Sequence, residues 1–556
     1  MHKRSVALLA AVAFLVLIGW AAEPPTLSAP AVDRALTTIR PEALSAHIRF
    51  LADDLLEGRA AGERGYDLAA RYVAAHFQAL GLEPGGTDRT YFPPVPLRRT
   101  VIDDSQSSVT LIRNGRKQEL DFGDDFFMRG DPLRTDSSIT APLVFVGFGI
   151  SAPELAYDDY AGVDTTGKIV VYLSGAPGSF PSTQRAHYGS RRTKAETAVA
   201  HGAVGVLSFA NPNSARRIPW RALARFVRRG SMTWVDEAGN AGRAFPALRA
   251  NAFLNAETAD SLFEGARKSF EQVVAAAKEG RPPSFPLPLT AHLRQVSRHS
   301  RLESPNVVAL LHGSDPALKN EYVVYTAHLD HTGKRARPVQ GDAINNGAYD
   351  NASGSAALLE VARAFATMGE RPRRSVVFLA VTAEERGLLG SDYFAQHPTV
   401  PAAGIAASIN MDMLLMLYEI QDVVAFGMQH SSLGAAVERA AERLGLEVRP
   451  DPFPEQNIFV RSDHYSFVRQ GIPSVMLSPG VKARDPGVNG KELFQKWLRT
   501  VYHGPKDDAQ QAMHLESGAA MTQLAWLVGY QVANQAERPA WNAGDFFGET
   551  FAPTAD

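Results

Sequence analysis

Histidines and carboxylates stand at the ends of several apolar segments of this sequence. The apolar segment that ends at Ala327 is followed by His328, Leu329 and Asp330. His328 and Asp330 are two positions apart, so their side chains point the same way on an extended chain. His328 could therefore bind a metal ion while Asp330 fixes its ring, a common pairing around zinc. A solvated strand end with a fortuitous His and Asp is an equally good interpretation of this motif alone.

Two adjacent glutamates, Glu384 and Glu385, follow a second apolar segment, residues 377–381. Adjacent side chains diverge on an extended chain, so one glutamate can bind a metal while the other takes a proton from water. Two buried carboxylates are unfavourable unless cations compensate their charge. A capping pair before a short helix is the alternative interpretation.

Three further candidates are Asp350, Asp412 and His503. Asp350 precedes a predicted helix and could simply cap it, or it could bridge two cations where nearby glycines allow a tight turn. Asp412 lies among apolar residues that are unusual for a surface loop: Ile409, Met411, Met413 and Met416. His503 lies in a polar loop, where a histidine most often has no special role.

As a set, these residues occupy three strand ends and two loops that could converge on one edge of a sheet. With one bridging Asp, each of two metal ions would have three protein ligands and share a water molecule. Cysteine is absent from the chain. This absence excludes disulfides and cysteine-bound structural zinc, so a metal site must use His, Asp or Glu.

The elements that would position these residues form a regular pattern from about residue 300 onward. Apolar strands alternate with helices, which indicates an α/β sandwich with a mixed, largely parallel sheet covered on both faces. Ligands bind at the carboxyl ends of strands in such sheets. The predicted strands are Asn306–Leu311, Tyr322–Ala327, Ser375–Val381, Ala406–Met411, Val423–Phe426 and Ser474–Leu477. The predicted helices are Ala352–Ala366, Leu433–Leu444 and Leu515–Val532.

The bulk composition narrows the class of protein. The chain has 556 residues, more than one ordinary domain, and its 45% hydrophobic and 21% charged residues are typical of a globular protein. The net charge of -2 gives no reason to expect nucleic acid or an anionic membrane as partner. Residues 1–22 resemble a secretory signal peptide, with a basic start and an apolar run too short to span a membrane comfortably.

The motifs together closely resemble the co-catalytic zinc metallopeptidases that include bacterial leucyl aminopeptidases, aminopeptidase Y and glutamate carboxypeptidase II. The shared motifs occur in the family's order: His-Leu-Asp-His-Thr-Gly, Tyr-Asp-Asn-Ala-Ser-Gly, Ala-Glu-Glu-Arg-Gly-Leu-Leu-Gly-Ser, Asn-Met-Asp-Met and Tyr-His. The resemblance implies two zinc ions, which Co or Mn could replace. It also implies five metal ligands and two catalytic residues: His328, Asp350, Glu385, Asp412 and His503 as ligands, and Glu384 and Asp330 in catalysis.

The same resemblance assigns a role to each residue. His328 and Asp412 bind one zinc, while Glu385 and His503 bind the other. Asp350 bridges the two ions, Glu384 is the general base, and Asp330 is the carboxylate behind the first histidine. His331 and His464 lie close to the motifs but outside the ligand set.

The resemblance extends to the domain organisation. Residues 1–22 are the signal peptide, 23–40 a linker, and 41–130 the N-terminal part of the peptidase domain. Residues 131–290 resemble an inserted, β-rich protease-associated domain, 291–536 form the catalytic domain, and 537–556 are a C-terminal tail. The insert carries an arginine cluster for which a solvated face is the favoured interpretation: Arg216, Arg217, Arg221, Arg225, Arg228 and Arg229.

The expected function is zinc-dependent exopeptidase activity, foremost that of an aminopeptidase acting on peptide substrates. Carboxypeptidase or dipeptidase action and glutaminyl cyclase-like amide chemistry are alternatives. A non-catalytic receptor-like binding protein is a further alternative, although such a protein would be expected to lack ligands. The signal segment predicts an exported protein, periplasmic or extracellular, without stable membrane association after cleavage.

Overall fold

The computed structural model describes residues 29–212, 220, 223 and 227–552. The predicted signal peptide lies outside the described residues, as do four arginines of the predicted cluster: Arg216, Arg217, Arg221 and Arg225. Within the described ranges, no helix combines the length and the apolar character needed to cross a membrane.

An eight-stranded mixed sheet organises the second half of the chain. Four of its strands run parallel, and the strands beside them on both sides run antiparallel to them. In spatial order the strands are β1 (Glu83–Pro84), β14 (Val307–Leu311), β18 (Ser375–Val381), β15 (Tyr322–His328), β19 (Ile405–Met411), β22 (Ser474–Pro479), β20 (Asp422–Phe426) and β21 (Glu447–Val448).

The central strands are apolar along their whole length because both faces of the sheet are covered. In β15, Val323 and Tyr325 belong to the largest hydrophobic core, whereas Val324 belongs to a smaller core on the opposite face. This alternation follows from the two-residue period of a strand. The predicted α/β sandwich is therefore confirmed, and the strands and helices predicted after residue 300 are present with small shifts at their ends.

Helices cover both faces of this sheet and also occur in the rest of the chain. Trp526 in the long helix near the C-terminus is fully buried in the largest core. In chain order the helices are α1 (Pro30–Thr38), α2 (Pro41–Leu51), α3 (Arg64–Ala79), α4 (Ser182–Gly189), α5 (Arg191–Ala200), α6 (Ala256–Ser261), α7 (Phe270–Lys278), α8 (Ser353–Thr367), α9 (Leu389–Gln396), α10 (Leu433–Arg443), α11 (His464–Val468), α12 (Gly490–Thr500), α13 (Leu515–Asn534) and α14 (Phe546–Phe551).

A second, ten-stranded sheet has its own hydrophobic core and overlaps the segment predicted to be an insert. Eight strands follow one another in the order β11 (Ser231–Trp234), β2 (Pro94–Ile102), β13 (Ser284–Pro305), β6 (Asp136–Val146), β9 (Ile169–Leu173), β10 (Gly205–Phe209), β12 (Ala250–Leu254) and β5 (Phe126–Phe127). Beside β13 lie β3 (Ser108–Arg113) and β4 (Arg116–Glu119). Two hairpins complete the strands: β7 (Ser151–Ala152) with β8 (Tyr157–Asp158), and β16 (Gly333–Val339) with β17 (Asp342–Asn345).

Three elements of the structure do not follow the predicted domain boundaries, which stay a prediction. The second sheet begins at Pro94 and ends at Pro305, not at 131 and 290, because β2 and β13 pair along nine residues. The predicted linker contains α1, whose Val32 and Ala35 are buried in the large core. The predicted tail contains α14, where Phe547 is fully buried. In both terminal segments a helix packs apolar side chains against the rest of the protein. The composition of these segments does not predict such packing.

Candidate metal centre

The carboxyl ends of three neighbouring strands bring most of the predicted site together. His328 is the last residue of β15, and Asp412 directly follows β19. Glu384 and Glu385 follow β18 after a short connection in which Ala383 has a left-handed backbone. Because these strands are parallel neighbours, the side chains after them meet at one edge of the sheet.

His328 is buried and oriented through both ring nitrogens. Its Nδ1 donates to the backbone carbonyl of Asp330 at 3.0 Å. Its Nε2 lies 3.1 Å from Asp412 Oδ1 and 3.3 Å from Asp350 Oδ1. The bond at Nδ1 selects the tautomer that leaves Nε2 free to bind a cation.

Asp330 acts differently from the prediction. Its backbone carbonyl, not its carboxylate, contacts the ring of His328. The carboxylate instead accepts hydrogen bonds from the backbone N–H groups of Glu384 at 3.0 Å and Glu385 at 3.3 Å. The carboxylate points this way because the turn after β18 leaves those two N–H groups without a ladder partner. Asp330 therefore fixes the loop of the two glutamates.

Asp350 lies between two groups of possible ligands. Its Oδ1 faces His328 Nε2 at 3.3 Å, and its Oδ2 faces His503 Nε2 at 3.1 Å. Burial raises the pKa of this carboxyl, but contacts with the two histidines hold it well below its usual value. Asp507 accepts from the backbone N–H of Asp350 at 3.1 Å and so fixes the loop from behind. This placement suits a carboxylate that bridges two cations.

Two histidines approach Glu385. His503 Nε2 lies 3.1 Å from Glu385 Oε2, and His331 Nδ1 lies 2.8 Å from Glu385 Oε1. The His503 side chain is 38% exposed, whereas that of His331 is fully buried. The ring of Tyr502 stacks on His503 with centroids 3.8 Å apart. His331 was predicted to lie outside the ligand set, and the structure places it against Glu385.

Asp412 is oriented by a buried chain of hydrogen bonds that the sequence did not reveal. Ser462 Oγ donates to Asp412 Oδ2 at 2.6 Å. Asn410 Nδ2 donates to Ser462 Oγ at 2.7 Å, and Thr326 Oγ1 donates to Asn410 Oδ1 at 2.8 Å. Side chains from two strands and a distant loop thus set the orientation of one acid, which supports a ligand role.

Glu384 differs electrostatically from its neighbour. Burial, together with the charges of Asp412 and Asp463, raises the pKa of Glu384 well above its usual value. For Glu385, burial and Asp350 also raise the pKa, but His503 and His331 lower it to about 2. Neighbouring acids with such different pKa values are suited to different tasks, one as ligand and one as base.

His464, which the sequence analysis placed outside the ligand set, lies in an aromatic environment. It is fully buried, with Phe459 5.3 Å away between ring centroids. Burial lowers its pKa to about 3. Neither His464 nor His503 belongs to the two groups with metal-binding geometry found among the described residues, and His503 joins the site through its contacts with Asp350 and Glu385.

The donor set fits a borderline metal such as zinc. One group consists of His328, Asp350 and Asp412, and the other of His331, Asp350 and Glu385, with ligand atoms within 4.8 Å of one another. Imidazole and carboxylate donors suit zinc, and a bound cation would compensate the charge of the buried carboxylates. The groups share Asp350 and lie at one sheet edge.

Comparison with known proteins finds similarity to one peptidase family. The sequence pattern of peptidase family M28 matches residues 306–528. A probable zinc metalloprotease of Pyrenophora teres f. teres is 41% identical over 108 residues, which cover 19% of this chain and 22% of that protein. An aminopeptidase of Pseudomonas aeruginosa is 31% identical over 257 residues, 43% of this chain and 44% of that protein. The chain thus matches less than half the length of these curated relatives.

A solved structure supports the fold. The aminopeptidase from Aneurinibacillus sp. strain AM-1 superposes with a TM-score of 0.52 at 20% identity, covering 91% of this chain and 97% of that one. All seven predicted site residues lie between positions 306 and 528, inside the family match. Residues 306–528 of this chain are therefore similar to peptidase family M28.

Proposed function

We propose that the protein is a zinc-dependent exopeptidase, an aminopeptidase, that binds two zinc ions. The carrying observation is that Asp350 lies between two sets of possible ligands. His328 Nε2 lies 3.3 Å from its Oδ1, and His503 Nε2 lies 3.1 Å from its Oδ2 and 3.1 Å from Glu385 Oε2. Two ions with a common carboxylate bridge are the arrangement that two-metal hydrolases use.

His328 and Asp412 are the ligands of one ion in this proposal, and Glu385 and His503 are those of the other. His503 is preferred to His331 because its Nε2 lies 3.1 Å from both Asp350 and Glu385. His331 Nδ1, in contrast, is 3.8 Å from Asp350. When bound, such ions supply Lewis acidity, which makes a water molecule more acidic and polarises a carbonyl group.

Glu384 performs the proton transfers. It accepts a proton from the water whose oxygen attacks the carbonyl carbon of the scissile peptide. As the carbon–nitrogen bond breaks, Glu384 returns that proton to the leaving amine. Asp330 keeps Glu384 in place through the backbone N–H groups of the loop.

The substrate class is peptides with a free N-terminus. Support comes from the names of relatives that share the segment, among them the Pseudomonas aeruginosa aminopeptidase and a probable leucine aminopeptidase 2 of Aspergillus fumigatus, 32% identical over 202 residues. The buried carboxylates around the centre would also attract a substrate ammonium group.

A substrate screen with and without chelator tests this function. Aminoacyl anilides should be hydrolysed, and chelation should abolish this turnover. N-acetylated anilides, and peptides that offer only a free C-terminus, should not be hydrolysed. Hydrolysis only of N-blocked peptides from the C-terminus would instead favour a carboxypeptidase. No turnover of any amide by zinc-loaded protein would favour a binding protein.

We further propose that the protein is exported to the periplasm or the extracellular space. The support is the basic and apolar segment within residues 1–22. N-terminal sequencing of the protein from separated cell fractions tests the proposal. A mature chain beginning after residue 22 outside the cytoplasm is expected, and an intact chain in the cytoplasm would contradict it.

A further inference from the structure

Arg59 is a fully buried arginine far from the predicted ligands in sequence. It lies in the glycine-punctuated loop before α3, where Glu57, Gly58 and Arg59 all have left-handed backbones. Its guanidinium donates only to backbone carbonyls in the hydrogen bonds found among described residues. These are Leu329 O at 2.9 Å, Asn346 O at 2.6 Å, Gly347 O at 2.9 Å and, closer still, Leu51 O.

The acceptors of Arg59 belong to two different ligand-bearing loops. Leu329 lies between His328 and Asp330, and Asn346 and Gly347 lead directly into the turn that carries Asp350. One planar guanidinium therefore bonds both loops at once, a geometry that a lysine ammonium cannot reproduce.

The backbone of the same loop adds further bonds. His331 N donates to Arg59 O at 3.1 Å, and Gly333 N donates to Gly58 O at 3.1 Å. A Cβ at Gly58 would lie 2.3 Å from Asn345 O, so the close approach of the two segments requires glycine.

The charge of Arg59 is also balanced by the centre. Burial lowers its pKa to about 10, while Asp507, Asp330 and Asp350 act in the opposite direction. The side chain thus remains cationic at neutral pH, beside a cluster rich in carboxylates.

We infer that Arg59 is a positioning residue that holds the loops of His328 and Asp350 in their ligand-bearing arrangement before any metal binds. The inference rests on the proposed zinc centre. The N-terminal segment then contributes to the zinc centre, because zinc affinity depends on Arg59, a residue that contacts neither ion. Preorganised loops bind a metal more tightly because less ordering accompanies binding.

Arg374 provides a matched control. It is likewise fully buried, and it donates to Val532 O at 3.0 Å and Ala536 O at 3.2 Å, with an ion pair to Glu321. It precedes β18, at the sheet edge opposite the ligands. Loss of Arg374 should lower stability without reaching the metal site.

The first test compares Arg59→Lys with Arg374→Lys. Zinc dissociation constants are measured by chelator competition, and the visible spectra of the cobalt-substituted proteins report ligand geometry. Arg59→Lys should weaken zinc binding by about ten-fold or more and alter the cobalt spectrum. Arg374→Lys should leave the zinc dissociation constant and the cobalt spectrum unchanged, although it should lose about as much thermal stability as Arg59→Lys. Parental zinc affinity and spectrum in Arg59→Lys would overturn the inference.

The second test uses the unmodified chain and so does not depend on a variant that folds. Hydrogen exchange is followed for the amides of Leu329, His331 and Ala348 in zinc-free and zinc-loaded protein. These amides should be protected without zinc, since their acceptors are Val381, Arg59 and Asp507. Fast exchange in zinc-free protein would overturn the inference, whereas failure of the native chain to bind zinc would overturn the proposed function.

Discussion

The environment of each acid in the candidate metal centre determines its charge. Burial raises the pKa of Asp330 to about 6 and that of Asp463 to about 7. The pKa of Glu384 is also raised, well above its usual value, whereas that of Glu385, in contact with two histidines, is lowered. The neighbouring glutamates therefore differ in character although they are adjacent in sequence, which is the property that general base and ligand require.

Substitution of Glu384 by Gln should separate catalysis from metal binding. The change keeps the shape of the side chain and removes its ability to accept a proton. We expect kcat to fall by about 10²–10⁴-fold with unchanged zinc content, measured by steady-state kinetics and elemental analysis. Glu385→Gln is the control and should lose zinc. Parental kcat in Glu384→Gln would remove Glu384 from the mechanism.

Ser462→Ala should leave the carboxylate of Asp412 less well oriented. The serine hydroxyl is the donor that orients Asp412 Oδ2, at 2.6 Å. Loss of an outer partner of a metal ligand typically lowers metal affinity by about 10–100-fold, which titration calorimetry can measure. Ser391, which contacts Ser466 at 2.9 Å, offers a control, since Ser391→Ala should leave zinc affinity intact. Equal effects of the two substitutions would speak against the orienting role.

The second sheet contacts the loop of the two glutamates through one acid of helix α9. Asp392 accepts from Trp234 at 2.7 Å, from Arg243 at 3.0 Å and from Arg192 at 3.0 Å. Arg243 also donates to the backbone carbonyl of Leu388 at 3.2 Å, just beyond the glutamates. The insert and the catalytic loop are thus joined by charged groups that are largely shielded from water.

Asp392→Asn should destabilise the protein in a pH-dependent way. Breaking a buried charge cluster by removing one partner costs about 3–5 kcal/mol of unfolding free energy. Burial raises the pKa of Asp392, but Arg243 and Arg192 lower it to about 2. A depressed pKa means that the stabilisation is present above pH of about 4 and is lost as the pH falls towards 2.

Denaturant unfolding between pH 7 and pH 3 measures this effect. The difference between the native chain and Asp392→Asn should be largest near neutral pH and shrink on acidification. Asp315→Asn is the control, because Asp315 forms a partly exposed pair with Arg373 and should contribute less than the buried cluster. A difference that stays constant with pH would contradict the role of the Asp392 charge.

Sequence patterns predicted the elements of the catalytic domain well because their signals are local. Apolar runs marked the central strands, and polar residues at their ends marked the candidate centre. The role of Asp330 was predicted incompletely, because its carboxylate binds N–H groups 54 and 55 residues further along the chain. The part played by Arg59 was not predicted, since it meets Leu329 across 270 residues.

Local sequence patterns also do not determine where the insert begins and ends. Strand β13 pairs with β6 over one part and with β2 over another, so a single strand links distant segments of the second sheet. Register of this kind depends on contacts between segments far apart in sequence. The resemblance of the insert to a protease-associated domain stays a prediction.

At the scale of the whole molecule, five separated regions meet at the candidate centre: the Arg59 loop, the strand ends, the Asp350 turn, the Ser462 turn and the His503 loop. Their convergence explains why the chain can place so many buried carboxylates together. Bound cations would stabilise such a cluster by compensating its charge. The number of bound cations is therefore the central property of the molecule.

The zinc content of the purified, folded chain, determined by elemental analysis after dialysis against trace zinc, tests this property most directly. The account predicts two zinc ions per chain, which a chelator removes together with peptidase activity. A chain that folds and retains no zinc, or whose activity survives complete removal of metal, would contradict it.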